Sequence, residues 1–556
     1  MEHIQPVSDS DLPLFFFNSK GITKEENVPE NTCLMSDMIE KFKNYNLETY
    51  INDIHTQGLS KTWDFICAYI LKFGENGDFL TIPKFGELYE IGLAIQDKIQ
   101  KKASGKYYTP DDVAEVMGRW FASCRGENIC DVGCGTGKLI LTYLDYIGYE
   151  NALKIIQNGH LYLYDFDKTA LKICKTSILI KYAIDNPDCI HDICGDFLND
   201  DIKLPPKSKV ISNPPYAAIK EFASTWKQTN VLLTTKELYA VFMEKIFAQS
   251  ESSVVITPFS FISGNKFFSL RKKMSDTGNG FIVAFDNVPG NIFCGRKQGI
   301  FNTNTSNSVR AAITVFHKDE TKKGFKVSPL IRFKNEERDK LLVNSVLEGL
   351  LPESIQTIDK TNSAFKKINK NLESIFYTWE KNSKYKVSDI ISKEKTEYLI
   401  DIPNTCRYFT TGSHRKLKRT GSITIYVKDK KNFDFLYCFI NSGFTYWWWR
   451  IFDGGITFQK SLLMNMPVPL NLLNDDDKLF FKEVCNEMIQ AESNYIVTKL
   501  NAGEPQENIK FPQKYTKKIN DRILAVLGCK NGSEIFIPIH SNNFLGKNND
   551  KPDISR

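Results

Sequence analysis

The residues of this chain best equipped for chemistry are Asn213-Pro214-Pro215-Tyr216. They follow a β-prone run, Lys209-Val210-Ile211-Ser212, where a strand hands over to a loop. Two consecutive prolines stiffen that loop and present the Asn213 side chain and the Pro214 carbonyl as fixed hydrogen-bond acceptors. Tyr216 adds an aromatic face beside them. Two acceptors next to a stacking ring suit a planar molecule bearing an NH₂ group, such as adenine. A Pro-Pro turn that only caps a strand reads the same in isolation, so the surroundings decide.

Upstream, Asn128-Ile129-Cys130-Asp131-Val132 reads as a strand and Gly133-Cys134-Gly135-Thr136-Gly137 as a glycine-rich turn opening a helix. Glycines at 133, 135 and 137 let the backbone turn tightly and approach a ligand. The phosphate-loop spacing is absent, which argues against an NTPase. The next strand, Leu161 to Tyr164, ends in Asp165-Phe166-Asp167. A carboxylate at the tip of a second strand, here Asp165, can hold both hydroxyls of a ribose. A third strand leads to Asp196-Phe197, an acid and a ring placed to clasp an adenine edge and face. Glycine or carboxylate sites at three successive strand ends, with Asn213 to Tyr216 at the fourth, read as an S-adenosyl-L-methionine site beside a base pocket.

The order Gly105-Lys106-Tyr107-Tyr108-Thr109-Pro110, Asp131 to Gly137, Asp165, Asp196-Phe197 and Asn213 to Tyr216 resembles the gamma class of N6-adenine DNA methyltransferases, the modification enzymes of restriction–modification systems. The resemblance covers residues 100 to 320, with a weaker match later. It implies that Tyr108 and Thr109 cover the methionine end of the cofactor and that Phe293 covers the base face opposite Tyr216. Where that family often reads Asp-Pro-x-x-Gly-x-Gly, this chain has Asp131-Val132-Gly133, a form shared by methyltransferases in general. The departure supports cofactor use more than DNA as substrate.

Adenine's exocyclic nitrogen is a poor nucleophile because its lone pair is delocalised into the ring. Acceptors at Asn213 and Pro214 would turn that lone pair toward the methyl and stabilise the positive charge that transfer creates. The sulfonium is already activated, so positioning and electrostatics matter more than a strong base. A base inside a duplex cannot reach such a pocket, so the target nucleotide must be flipped out.

The elements that position these residues imply an α/β fold: a Rossmann-like methyltransferase domain with a helical N-terminal region and a mixed α+β C-terminal target-recognition domain. Boundaries are expected at 1–100, 101–325 and 326–540, with a polar tail at 541–556. Trp63, Phe65, Ile66, Tyr69, Ile70 and Phe73 fall near helical spacing, and Gly86 to Lys102 reads as a second helix. Further strands are expected at Ser253 to Thr257, Phe281 to Phe285 and Arg310 to Phe316, and a helix at Leu238 to Ala248. No acidic-x-Lys triplet occurs in the first 100 residues, which argues against an appended metal-dependent nuclease. With 556 residues, a formal charge of +6, 13 cysteines without a Cys-x-x-Cys pair and 7 scattered histidines, the chain suggests neither a metal site nor a disulfide framework. No signal core or membrane-length apolar run is present, so a cytoplasmic location is expected.

In the C-terminal half, Thr410 to Thr420 places small polar residues beside clustered cations, a composition suited to phosphate and base-edge contacts. Arg407, His414, Arg415, Lys416, Lys418 and Arg419 are the candidate DNA contacts; a solvated basic loop is the plainer alternative. The run from Leu436 to Arg450, with Trp447-Trp448-Trp449, reads mainly as core, although a surface ring there could wedge into DNA. Double-stranded DNA is the expected partner, with a separate restriction nuclease or specificity subunit as a further one. Three other readings stay open: RNA or cytosine N4 as substrate, a protein glutamine amide, and a cofactor-binding subunit without catalysis.

Overall fold

The computed structural model describes residues 109–293, 309–405, 409–452, 457–501, 503–530 and 532–540, together with 58, 62, 65, 66, 86, 88–90, 92 and 93. The chain divides into two compact units. The first comprises Met1–Pro258, Lys272–Gly324 and Leu342–Val346; the second comprises Phe259–Arg271, Phe325–Leu341 and Leu347–Arg556.

In the first unit, short apolar runs form β1 (Asn128–Val132), β2 (Leu161–Asp165), β3 (Ile190–Cys194), β4 (Ser208–Ser212) and β5 (Ser252–Pro258). β1, β4 and β5 are buried almost throughout, as strands covered on both faces should be. The five pair in parallel in the order β3-β2-β1-β4-β5. β7 (Ala311–Lys318) then runs antiparallel between β5 and β6 (Gly278–Phe285). The chain order reverses between β1 and β4, which makes this a doubly wound, Rossmann-like α/β sheet.

The helices that cross between strands carry one apolar face each. In α1 (Asp111–Ala122), Val113, Val116, Met117, Trp120 and Phe121 are buried at three- and four-residue spacing, while Asp111 and Asp112 offset the helix dipole at its N-terminus. Phe121 meets Tyr143 of α2 (Lys138–Ile147) edge to face at 4.7 Å. α3 (Lys168–Lys181) is capped by Asp167, which accepts from the backbone N–H groups of Thr169 and Ala170. α4 (Leu238–Gln249) precedes β5. Of the N-terminal helical region, the described residues 62, 65, 66, 86, 88–90, 92 and 93 are helical.

The second unit holds a small antiparallel sheet in which Ser422–Val427 lies between Ile391–Ser392 and Leu399–Pro403. Its core is aromatic. Trp447, Trp448 and Trp449, on the helix Gly443–Phe452, are all buried, and Trp379 stacks on Trp447 at 6.0 Å. These rings fill the core, so the expectation of a DNA wedge does not apply to them. Among the described residues, no helix is long and apolar enough to cross a membrane. Among the same residues, no group of three or more His, Cys, Asp or Glu side chains could hold a metal.

Candidate active site

Parallel register carries the loops after β1, β2, β3 and β4 to one edge of the sheet. Val132 is level with Tyr164 of β2 and Ser212 of β4, and Asp165 is level with Cys194 of β3. The Ser212 hydroxyl donates to the Val132 carbonyl at 2.6 Å and ties the ends of β1 and β4 together. The glycine loop, Asp165, Asp196 and Asn213 therefore leave the sheet at its switch point, where open α/β sheets bind ligands.

Gly133, Gly135 and Gly137 all have positive φ, at 73°, 53° and 97°. At Gly137 a side chain is excluded twice, since a Cβ there would also lie 2.7 Å from the Cys174 Sγ. The loop is held from the neighbouring strand. The N–H groups of Gly133 and Cys134 donate to the Tyr164 carbonyl, and the Gly135 N–H donates to Asp165 Oδ2 at 2.7 Å. Asp165 Oδ1 accepts from the Asp167 N–H at 2.8 Å. Asp165 thus braces the glycine loop.

Asp131 is fully buried, and neither of its oxygens has a hydrogen-bond partner among the described residues. Burial, then the neighbouring Asp165 carboxylate, push its carboxyl well above the usual range.

The Asn213 Nδ2 donates to the Thr109 hydroxyl at 3.0 Å, so these two sequence-derived candidates meet directly. Pro214 is buried; Pro215 and Tyr216 are half-buried. The Tyr216 hydroxyl donates to the Ile256 carbonyl of β5 at 3.0 Å, which fixes the ring. Phe293 lies against Tyr216 edge to face, with ring centroids 5.8 Å apart and planes at 64°. A base sandwiched between two parallel rings needs roughly 7 Å between them, twice the optimal carbon–carbon separation. The Phe293 ring is buried in this conformation, and the expectation that it covers the base face opposite Tyr216 stays a proposal.

Two expected cofactor residues also have internal contacts. Asp196 Oδ2 accepts from the Trp226 indole N–H at 2.6 Å and Oδ1 from the Leu198 N–H at 3.0 Å, so the acid anchors its own loop. Phe197 offers no stacking face. Its ring is buried beside Tyr164 and Phe242, with the Lys245 ammonium 4.8 Å from its centroid. The exposed ring is Phe166, 80 % accessible at the tip of β2 beside Asp165. Sequence reasoning passed over it, although an aromatic between two acids at a strand tip has no core to enter. Tyr89 and Glu90 were missed too. The Tyr89 hydroxyl donates to both Asp167 oxygens, and Glu90 accepts from the Thr136 hydroxyl and N–H. Tyr108 and Arg407 lie outside the described residues.

In the second unit, part of the basic segment is paired with acids. Lys416 bonds the fully buried Asp401 at 2.9 Å, and Arg415 reaches Glu507 at 3.4 Å. Arg419 donates to Thr405, Gly421, Asn508 and the Glu507 carbonyl. His414 donates through its backbone, and pairs through Nδ1, with the buried Glu492, which also accepts from Ser413 and Tyr437. Burial opposes the charge on Glu492, but those donors together hold its carboxyl below the usual range. Of the candidate DNA contacts, His414, Arg415, Lys416 and Arg419 thus have internal partners, and their contact with DNA stays a proposal. The Lys418 residue is exposed, and it bonds Glu507 through its backbone N–H.

The N-6 DNA Methylase family profile matches residues 81–403, more than half of the chain. The methylase subunit of the type I restriction enzyme MpnII from Mycoplasma pneumoniae is 24% identical over 153 residues, 25% of this chain and 26% of that protein. The type II methyltransferase M.PstI from Providencia stuartii is 26% identical over 199 residues, 32% of this chain and 38% of that one. Matches to these curated relatives thus span well under half of their length. A nuclease-deletion mutant of the Type ISP restriction-modification enzyme LlaGI, solved with a DNA substrate mimic, aligns at 11% identity and a TM-score of 0.43, covering 75% of this chain and 49% of that one. On the extent of the profile match, the chain belongs to the N-6 DNA methylase family.

Proposed function

We propose that this chain is a site-specific DNA adenine methyltransferase of a restriction–modification system, acting in the cytoplasm on double-stranded DNA with S-adenosyl-L-methionine as donor. The observation that carries the reading is Asn213-Pro214-Pro215-Tyr216 leaving β4 beside the glycine loop of β1, with Asn213 tied to Thr109.

The residues present fit the cofactor. Asp131 keeps two buried oxygens without a partner among the described residues, and a Cβ on Gly133 would meet only the Asn213 carbonyl, at 3.7 Å. Thr109 and Tyr108 would cover the methionine end, Gly133, Gly135 and Gly137 the loop side, Asp165 the ribose, and Phe166 with Asp196 the adenine. When bound, the cofactor supplies an activated methyl on sulfur. The chain's own work is placement. Asn213 Oδ1 and the Pro214 carbonyl accept the two amine hydrogens, direct the nitrogen lone pair, and stabilise the charge that develops there. Tyr216, braced through Ile256, supplies one face of the pocket. Phe293 moves aside to admit the base. In this reading the region 326–540 recognises the target sequence, with or without a separate specificity or nuclease subunit.

The test is methyl transfer from labelled S-adenosylmethionine to unmethylated genomic DNA, digested to nucleosides and identified by mass. N6-methyladenine, abolished in Asn213→Ala, supports the reading. Label in RNA, cytosine or protein overturns the substrate, and cofactor binding without transfer to any of them points to a missing specificity subunit or a non-catalytic role.

A further inference from the structure

The N-terminal helical region reaches the cofactor edge with two adjacent side chains. Tyr89 and Glu90 are helical, and Tyr89 is fully buried. The Tyr89 hydroxyl donates to Asp167 Oδ1 and Oδ2 at 3.3 and 3.2 Å. Asp167 stands one residue beyond Phe166 and caps α3, so this bond holds the tip that carries Asp165 and Phe166. Glu90 accepts from the Thr136 N–H at 3.3 Å and from the Thr136 hydroxyl through the same oxygen. Thr136 stands between Gly135 and Gly137, so this bond holds the glycine loop. Gly86, one turn earlier, approaches Thr136 so closely that a Cβ there would lie 3.0 Å from the Thr136 Cβ. One helix face therefore grips the loops after β1 and β2 together.

We propose that Tyr89 and Glu90 are positioning residues for the cofactor, fixing the glycine loop and the ribose-side tip relative to each other before it binds. The inference rests on reading this edge as the S-adenosylmethionine site. Both loops carry their ligand groups on the backbone or on short side chains, so sub-ångström shifts of either are felt in affinity. Neither Tyr89 nor Glu90 need touch the reacting atoms. Burial, then Asp167, push the Tyr89 hydroxyl well above its usual range, so it stays a donor at every physiological pH.

The experiment uses the full chain and measures Kd for S-adenosylmethionine by calorimetry, the melting temperature without ligand, and steady-state methyl transfer. Glu90→Ala and Tyr89→Phe are each expected to weaken cofactor binding by about tenfold or more, through loss of the hydrogen bonding to a charged carboxylate. KM for the cofactor rises, while kcat and KM for DNA hold within about twofold. Glu90→Gln, which keeps an acceptor oxygen for Thr136, recovers most of the affinity. Unchanged affinity in Glu90→Ala and Tyr89→Phe overturns the inference, as does a fall in kcat at constant KM. Should Glu90→Ala fail to fold, Tyr89→Phe, which removes a single oxygen, decides alone. An unaltered chain that binds no S-adenosylmethionine overturns the cofactor reading, and the inference with it.

Discussion

Thr109 and Asn213, 104 residues apart in the chain, meet at 3.0 Å, with the Asn213 Nδ2 donating to the Thr109 hydroxyl. In the proposed reading this bond orients the amide: with Nδ2 committed to Thr109, Oδ1 would be the end that accepts from an amine. Thr109 is almost fully buried two residues before α1, so the hydroxyl that sets this orientation is itself held firmly.

Replacing that hydroxyl should cost catalysis without removing the acceptor. Thr109→Val is expected to lower kcat by about 3- to 10-fold, the worth of one net hydrogen bond. Thr109→Ser should restore it. Asn213→Ala, which removes the acceptor itself, is expected to cost about 100-fold or more. Single-turnover methyl transfer separates these outcomes, and equal losses in Thr109→Val and Asn213→Ala would refute the orienting role.

Two phenylalanines that follow acids have opposite fates. Phe166 is exposed beside Asp165, whereas Phe197 is buried after Asp196. Phe166→Ala is therefore expected to weaken cofactor binding by roughly 1–3 kcal/mol, the worth of one base–aromatic stack, with the denaturation midpoint unmoved. Phe197→Ala should instead destabilise the fold by about 3–5 kcal/mol. Paired urea melts and binding titrations test both; a destabilised Phe166→Ala would mean that its ring packs in the core.

That contrast shows what was legible in the chain. Asp131 to Gly137, Asp165, Asp196 and Asn213 could be placed because every loop following a parallel strand leaves the sheet on the same side, so spacing along the chain becomes position in space. Side-chain direction carries no such rule. Phe197 is interior because Phe242, from a helix 45 residues later in sequence, covers it at 5.4 Å. The partners of the basic segment were hidden for the same reason. Asp401, Glu492 and Glu507, which pair with Lys416, His414 and Arg415, are 15 to 92 residues away, and nothing local announces them.

Lys209 gives a pH signature. Its ammonium is buried under α1, donates to the Phe121 carbonyl at 3.2 Å and lies over the Phe121 and Tyr143 rings. Burial lowers it to about 8, the nearby Cys124 opposing. Between that value and the unfolded-chain value near 10.4, the unfolded chain holds a proton that the folded one has released. Stability linked to Lys209 therefore rises with pH across that window, by at most about 1.4 kcal/mol per unit. Below pH 8 the cost of burying the charge is present in full. Lys209→Met should remove this slope, so the stability of the unaltered chain minus that of the variant should climb from pH 8 to 10. Parallel curves would show that the lysine stays charged in the fold.

The partly paired basic segment predicts a division of labour among its cations. Lys416 satisfies Asp401, a fully buried carboxylate that also accepts from Ser422, Thr424 and the Leu417 N–H. Burial works against the charge on Asp401, and those donors outweigh it and hold the carboxyl below its usual range. Lys416→Ala takes away one of the donors and is expected to lower stability modestly, by about 1 kcal/mol, because the lysine is largely exposed. Asp401→Ala strands Lys416, Ser422 and Thr424 around a cavity and should cost about 3 kcal/mol or more. Lys418 is the contrasting case, an exposed residue in the same segment. If it contacts phosphate, Lys418→Ala should weaken binding to every DNA sequence alike and reduce the salt slope of log K by about 1, leaving stability unchanged. Equilibrium binding to specific and random duplexes between about 50 and 200 mM salt measures this. An unaltered slope would place the phosphate contacts on another surface of the protein.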